Sequence, residues 1–225
     1  MMDIIAGNLE FIKKEIAAAA GGRKVLLLPA TKTVGIDIMQ RLPELGIGTV
    51  GENRVQELLS KYEVLRERLK FHFIGKLQTN KVKYIIDKVE LIHSVDSLKL
   101  AAEIDRQAKK INKIMDILIE INIGGEKSKS GIAPEECEAF LKRISEFTNI
   151  KVRGLMAIPP FMLQEGGNNE YFKEMYKIYV DNGVKNLDNI SMDFLSMGMS
   201  QDYKDAVRQG ANIVRIGMAL FGIRN

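Results

Sequence analysis

Hydrophobic positions at the start of the chain repeat with the period of a helix. They recur at i, i+4, i+7 and i+11, on one face of a helical pattern: Ile5, Leu9, Ile12 and Ile16. The pair Gly21 and Gly22 then ends the pattern. We therefore predict a helix over residues 2–20.

Strand-like and helix-like segments alternate along the rest of the chain. Residues 24–31 form a short apolar run without alternation, which is typical of a strand covered on both faces. Strands are predicted at 24–31, 48–51, 71–74, 90–95, 116–122, 151–157, 194–197 and 212–216. Helices are predicted at 36–45, 54–69 and 79–88, from an N-cap at Asp96 or Ser97, from Pro134, and at 170–181 and 201–209. Residues 161–169 are the only stretch that looks loose.

This alternation indicates right-handed crossovers and a parallel sheet. Eight such units in 225 residues fit a closed (β/α)₈ barrel better than an open doubly wound sheet, which the periodicity alone leaves open. Neither an internal repeat nor a low-complexity linker is evident. We predict one α/β domain over residues 1–225, with an extra helix before the first strand.

Composition excludes several classes of protein. Hydrophobic residues make up 46% and charged residues 28%, as in a globular chain. One cysteine, Cys137, excludes an internal disulfide, and with only two histidines a Cys/His zinc cluster is excluded too, so we expect no metal site. No apolar run is long enough for a membrane span, and the first residues lack a signal-peptide pattern. We expect a cytoplasmic protein.

The net charge of +4 fits an anionic ligand but is too small to indicate nucleic acid. Lysines at 76, 81, 83 and 88 are interpreted as solvated surface. His72 is interpreted as a satisfied structural histidine, and no role is assigned to His93.

Candidate chemistry lies where barrels bind ligands, at the carboxyl ends of the strands. Lys32 follows an apolar strand there. A partly desolvated lysine has a lowered pKa and a nucleophilic amine, as Schiff-base chemistry requires. The alternative, a lysine that reaches the surface from a strand end, is favoured by position alone.

A phosphate site is predicted where strands seven and eight end. Residues 196–202 and 215–218 pass through small residues, and barrels bind phosphate there with backbone N–H groups. The hydroxyl group of Ser200 can donate to a phosphate oxygen; its alternative role is a helix N-cap. An amine, a phosphate site and Arg215 together suggest pyridoxal 5′-phosphate, PLP. Arginine cannot accept a proton from the pyridine ring, so the ring nitrogen would stay unprotonated.

The chain resembles the YggS/PROSC family of pyridoxal phosphate-binding homeostasis proteins. The matching segments cover nearly the whole chain in the family's order: 51–57, 72–81, 129–131, 153–159, 195–200 and 214–222. One departure is visible, because the family usually has serine before the lysine and often a second lysine two residues after it. Here Thr31 precedes Lys32 and Val34 stands at the later position, which puts in doubt a transfer step that uses a second lysine.

The resemblance implies the fold and the site. The fold is an alanine racemase-type barrel without its second domain, and Lys32 carries PLP as an internal aldimine. The other implied cofactor contacts are Asn53 near the ring, Arg215 at the pyridine nitrogen, and Ser200 with the backbone of Gly217 and Met218 at the phosphate. Met156 is predicted to line the pocket, with ordinary core as the alternative.

The implied function is intracellular vitamin B6 homeostasis without catalysis. The protein would hold PLP, pass it to apo-enzymes and act as a monomer, with no nucleic acid or membrane partner. The alternative is an amino-acid racemase with weak one-base activity. Efficient racemases of this fold take a second acid/base, a tyrosine, from a further domain, and this chain ends at Asn225. A cofactor-free barrel enzyme that acts on a phosphorylated substrate through Lys32 is the third candidate.

Overall fold

Eight strands alternate with helices along the chain, as predicted. The computed structural model describes residues 2–160, 166–183 and 187–222. The strands are β1 Leu26–Pro29, β2 Thr49–Glu52, β3 Lys70–Phe73, β4 Leu91–Val95, β5 Met115–Ile121, β6 Ile150–Ala157, β7 Ile190–Ser196 and β8 Ile213–Ile216. The α-helices are α1 Met2–Ala20, α2 Ile36–Met39, α3 Val55–Leu65, α4 Leu98–Lys110, α5 Cys137–Ile144, α6 Asn169–Gly183, α7 Tyr203–Arg208 and α8 Met218–Phe221. Short 3₁₀ helices cover Leu42–Leu45, Thr79–Tyr84 and Pro134–Glu136.

The strands form one parallel barrel. Their order is β1-β8-β7-β6-β5-β4-β3-β2, and neighbouring strands in this order are parallel. The ring closes where Ala30 forms a parallel bridge with Gly51, and the N–H group of Thr31 donates to the carbonyl oxygen of Gly51 at 2.9 Å. The predicted (β/α)₈ barrel is therefore confirmed and the open sheet is excluded.

Helix α1 is the predicted extra helix, and its bounds match the prediction. Its four predicted core residues are buried, and the helix packs against α7 and α8. Asn8 donates to the carbonyl oxygen of Leu220 at 3.0 Å, and Tyr203 donates to Glu15 at 2.7 Å. Within the described ranges, no helix is long and apolar enough to cross a membrane.

A separate apolar cluster fills the inside of the barrel. Its buried members come from six units of the fold: Leu28, Ile74, Leu91, Leu118, Met156 and Ile213. Side chains two residues apart on a strand point to the same face. His93, Glu120 and Arg215 stand two residues after cluster members on β4, β5 and β8, so a polar layer lies above the apolar one. The larger core cluster packs between the strands and the helices.

Two predicted helices are wrong in type or length. The helix predicted over 36–45 is divided into α2 and the 3₁₀ helix Leu42–Leu45, because Pro43 has no N–H group and its ring clashes with the carbonyl group four residues earlier. The helix predicted over 79–88 is the 3₁₀ helix Thr79–Tyr84, which begins with poor helix formers and has no side-chain cap.

Other predicted elements are present with shifted ends. Helix α3 ends at Leu65 and not at residue 69, since residues 66–68 form turns. The N-cap of α4 is Ser97, whose hydroxyl oxygen accepts from the N–H group of Leu100 at 3.3 Å. Pro134 begins the 3₁₀ helix that leads into α5, and the predicted apolar face of α5 is buried. Part of the stretch predicted to be loose, residues 161–165, lies outside the described residues.

Two glycine substitutions test the barrel packing in opposite directions. Gly154 in β6 has a φ of +143°, and a Cβ atom there would lie 1.8 Å from the carbonyl oxygen of Phe194. We expect Gly154→Ala to lower the free energy of unfolding by more than about 3 kcal/mol. The matched control is Gly7→Ala in α1, where a Cβ atom meets nothing within 4 Å. This change should stabilise by about 0.5–1 kcal/mol, because alanine favours a helix more than glycine does. Urea unfolding measures both, and a tolerated Gly154→Ala contradicts the packing.

Candidate cofactor site

Lys32 lies just past the carboxyl end of β1, beside β8. The N–H group of Ala30 donates to the carbonyl oxygen of Ile216 at 2.9 Å, which ties the end of β1 to the end of β8. Ala30 packs on the interior cluster, and Lys32 follows it by two residues, in the turn after the strand. Its side chain is exposed, so it is accessible from the barrel mouth. The predicted nucleophile and the predicted phosphate loops are therefore neighbours.

Arg215 of β8 is buried inside the barrel, with 4% exposure. Its Nη1 atom donates to the carbonyl oxygen of Ser196 at 2.9 Å and to Ser196 Oγ at 2.7 Å, and Nη2 donates to the carbonyl oxygen of Ala157 at 3.0 Å. Burial lowers the pKa of Arg215 to about 10, so the guanidinium group stays charged at neutral pH. These bonds use three of the five N–H groups of the guanidinium. The side chain is thus fixed by β6 and β7.

Two buried histidines extend this network across the barrel. His93 Nδ1 lies 3.1 Å from Ser196 Oγ, and His93 Nε2 lies 3.1 Å from His72 Nδ1. Burial lowers the pKa of His72 to about 4 and that of His93 well below its usual value. Both rings are therefore neutral at physiological pH, and each can donate from one nitrogen and accept at the other. The chain of contacts from His72 to Arg215 orients the guanidinium group.

Glu120 brings a carboxyl group into the same polar layer. Burial, and after it the charge of Asp96, raises the pKa of Glu120 to about 7, against the opposing charges of Arg215 and Lys76. Sequence reasoning missed both Glu120 and His93. A signal for Glu120 is present, because a carboxylate between apolar residues near the end of a buried strand is unusual.

Ser200 joins the ends of β7 and β8 as predicted for a phosphate site. Its Oγ atom accepts from the N–H group of Gly217 at 3.3 Å and from that of Ala219 at 3.1 Å. Since the oxygen accepts twice, its own hydrogen is directed elsewhere. A hydroxyl and backbone N–H groups thus converge, the arrangement that suits an anion. Met218, next to Gly217, is 54% exposed.

Asn53 follows β2 and carries a buried oxygen atom, Oδ1, without a hydrogen-bond partner. Its backbone lies against Gly75, where a Cβ atom would come within 2.1 Å of the carbonyl oxygen of Asn53. An unpaired buried acceptor costs free energy, and a polar group of a bound molecule can satisfy it. Met156 is fully buried in the interior cluster and forms part of the floor beneath the polar layer.

These positions fit PLP. Lys32 supplies an amine, Ser200 with Gly217 and Met218 supplies an anion cradle, and Arg215 supplies a fixed cation in the interior. The structure places all three on the adjacent ends of β7, β8 and β1. Asn53 stands at the end of the neighbouring β2, which β1 contacts through the closing bridge.

This combination defines a pyridoxal phosphate-type barrel of the alanine racemase class. The family described as alanine racemase, N-terminal domain, matches residues 3–225. The pyridoxal phosphate homeostasis protein of Aquifex aeolicus is 44% identical over 96% of this chain and 95% of its own length. That of Pseudomonas aeruginosa is 36% identical over 100% of this chain and 97% of its own. The chain belongs to the family of pyridoxal phosphate homeostasis proteins.

Solved structures agree with this assignment. PipY of Synechococcus elongatus, with PLP bound, is 29% identical and covers 97% of this chain and 100% of its own, with a TM-score of 0.86. An alanine racemase of Clostridium difficile is 18% identical, with a TM-score of 0.70 over 97% of this chain and 57% of its own. At that identity the likeness shows the fold alone.

The carboxyl group of Glu120 should make stability depend on pH. Its pKa of about 7 in the folded protein lies above the value of about 4.3 expected when unfolded. The proton therefore favours the folded state in acid, and this stabilisation is lost as the pH rises through about 7. We expect Glu120→Gln to match the unmodified protein near pH 4 and to exceed its stability by up to roughly 3 kcal/mol near pH 8. Urea unfolding across this range is the measurement, and parallel curves contradict the assignment.

Proposed function

We propose that this protein binds PLP and holds it, through a covalent bond to Lys32, for intracellular vitamin B6 homeostasis. The observation that carries the proposal is the adjacency of β1 and β8, which brings Lys32 beside Arg215 and the Ser200 cradle. The names of the full-length relatives and the PLP-bound PipY structure support the same ligand.

The covalent bond is a condensation that this site can supply. Lys32 would hold PLP through its side-chain amine, and the aldehyde group of PLP would supply the carbon for a condensation that releases one water. No oxidant or reductant is needed. Ser200 and the N–H groups of Gly217 and Met218 would bind the phosphate, and Arg215 would donate to the pyridine nitrogen and leave it unprotonated.

We propose a holding role and not a catalytic one. The relatives that match along their whole length are named homeostasis proteins, whereas the racemases and decarboxylases among the structural neighbours share only the fold. Delivery to apo-enzymes, a monomeric state and a cytoplasmic location stay predictions.

Removing the amine tests the covalent bond. We expect Lys32→Ala to lose the visible absorption band that forms when PLP is added, and to release the ligand completely on dialysis. The matched control is Lys24→Ala, which removes an exposed lysine just before the other end of the same strand. It should bind as the unmodified protein does. An absorption band that survives in Lys32→Ala, and that borohydride reduces to a stable covalent label, contradicts the assignment of Lys32.

Replacing the buried guanidinium tests the role of Arg215. Arg215→Lys keeps the positive charge but loses the planar fork that reaches Ser196 and Ala157. We expect PLP affinity to fall about 10- to 100-fold and the absorption maximum of the bound ligand to shift. Titration monitored by absorbance measures both. Unchanged affinity together with an unchanged spectrum shows that Arg215 does not contact the ring.

A further inference from the structure

A buried lysine on α3 is fully coordinated directly behind the loop that carries Lys32. Lys61 is 5% exposed. Its Nζ atom donates to the carbonyl oxygen of Thr31 at 2.8 Å, to Glu52 Oε1 at 2.8 Å and to Glu57 Oε1 at 2.6 Å. An ammonium group has three N–H donors, and all three are used.

The cluster holds both chain neighbours of Lys32. Lys61 binds the backbone of Thr31, and Glu57 Oε1 accepts from the backbone N–H group of Thr33 at 2.5 Å. Thr31 Oγ1 also donates to Glu52 Oε1 at 2.7 Å. Thr31 is fully buried and faces Lys61 and Glu52, whereas Lys32 is exposed. The loop is therefore fixed from the side opposite to the proposed ligand.

Thr33 adopts a backbone conformation that needs support. Its φ is +62°, in the left-handed region that is rare for residues other than glycine and especially so for a β-branched one. Such strain persists only where surrounding contacts impose it, and it gathers at functional sites. The bond from the Thr33 N–H group to Glu57 supports this conformation, together with the turn in which the Val34 N–H group donates to the carbonyl oxygen of Thr31 at 3.0 Å.

Burying the charges of this cluster costs free energy, which is hard to explain if the cluster serves stability alone. Glu52 is fully buried, burial raises its pKa, and its Oε2 atom has no partner. Buried ion pairs are often replaceable by apolar side chains without loss of stability. A requirement for a fixed geometry explains why charged groups stand here.

We propose that Glu57 and Lys61 are positioning residues, which hold Thr33 in its left-handed conformation so that the amine of Lys32 meets the PLP aldehyde. This inference rests on the proposed function. It adds residues outside the ligand pocket that control the rate of covalent capture.

The first experiment compares two glutamates on the same helix. Glu57→Ala should slow the appearance of the absorption band of bound PLP by about 10- to 100-fold, the range that misplacement of a reacting group produces. Glu63→Ala removes an exposed carboxylate of α3 that pairs with exposed Arg66, and it should leave the rate unchanged. Equal rates in the unmodified protein and Glu57→Ala overturn the proposal.

A second variant separates positioning from general stability. Glycine adopts a φ of +62° without strain, so Thr33→Gly should restore at least about 10-fold of the rate lost in Glu57→Ala. If Glu57→Ala slowed capture only by destabilising the protein, Thr33→Gly would not restore the rate. If the double variant is as slow as Glu57→Ala, the proposal is wrong. Should Glu57→Ala fail to fold, Glu57→Gln is used instead. Its amide oxygen can still accept from the Thr33 N–H group, so PLP capture should persist in this variant. Full loss of capture in Glu57→Gln would overturn the proposal.

Hydrogen exchange tests the contact between Thr33 and Glu57 in the absence of PLP. In the protein without added ligand, the peptide that contains Thr33 should exchange its amide hydrogens faster in Glu57→Ala and not in Glu63→Ala. If no PLP is captured by the unmodified protein, the proposed function fails while this exchange difference remains. If PLP is captured and the exchange of this peptide is unchanged, the positioning role alone fails.

Discussion

A buried positive charge at the centre of the barrel is the constraint on which the rest of the site depends. The guanidinium group of Arg215 has left water, so its N–H groups must find acceptors. Backbone and hydroxyl oxygens of β6 and β7 supply them, through Ala157 and Ser196. Ser196 is held in turn by His93, and His93 by His72. Arg215, Ser196 and the two histidines thus form a polar layer on top of the interior apolar cluster, and this layer determines where a ligand ring can lie.

The proposed ligand site lies between two segments of the barrel mouth, and different contacts hold each segment in place. On one side, backbone N–H groups at the end of β8 gather on Ser200. On the other, the loop with Lys32 is fixed from behind by Lys61 and Glu57. The two sides meet because β1 and β8 are hydrogen-bonded neighbours in the closed ring. Barrel closure, and not any local motif, brings the amine to the cradle.

Much of this arrangement could be predicted from the sequence, because it depends on local pattern. The period of α1, the unalternating apolar strands and the residues shared with the homeostasis family predicted the barrel and the candidate residues at its mouth. The role of His93 could not be predicted, because its partners His72 and Ser196 are 21 and 103 residues away in the sequence. Lys61 lies on the buried face of α3 with Leu58 and Leu65. Glu57 is its i,i+4 neighbour on the same helix, and only the three-dimensional fold shows that Thr31 and Glu52 are its other partners.

The central claim is that Lys32 binds PLP covalently in the unmodified protein. The most direct measurement is borohydride reduction of the PLP-loaded protein followed by mass mapping of its peptides. The account predicts one pyridoxyl group per chain, on the peptide that contains Lys32, and loss of the visible absorption band on reduction. A reduced label on another lysine, or no label although the ligand is bound, would contradict it.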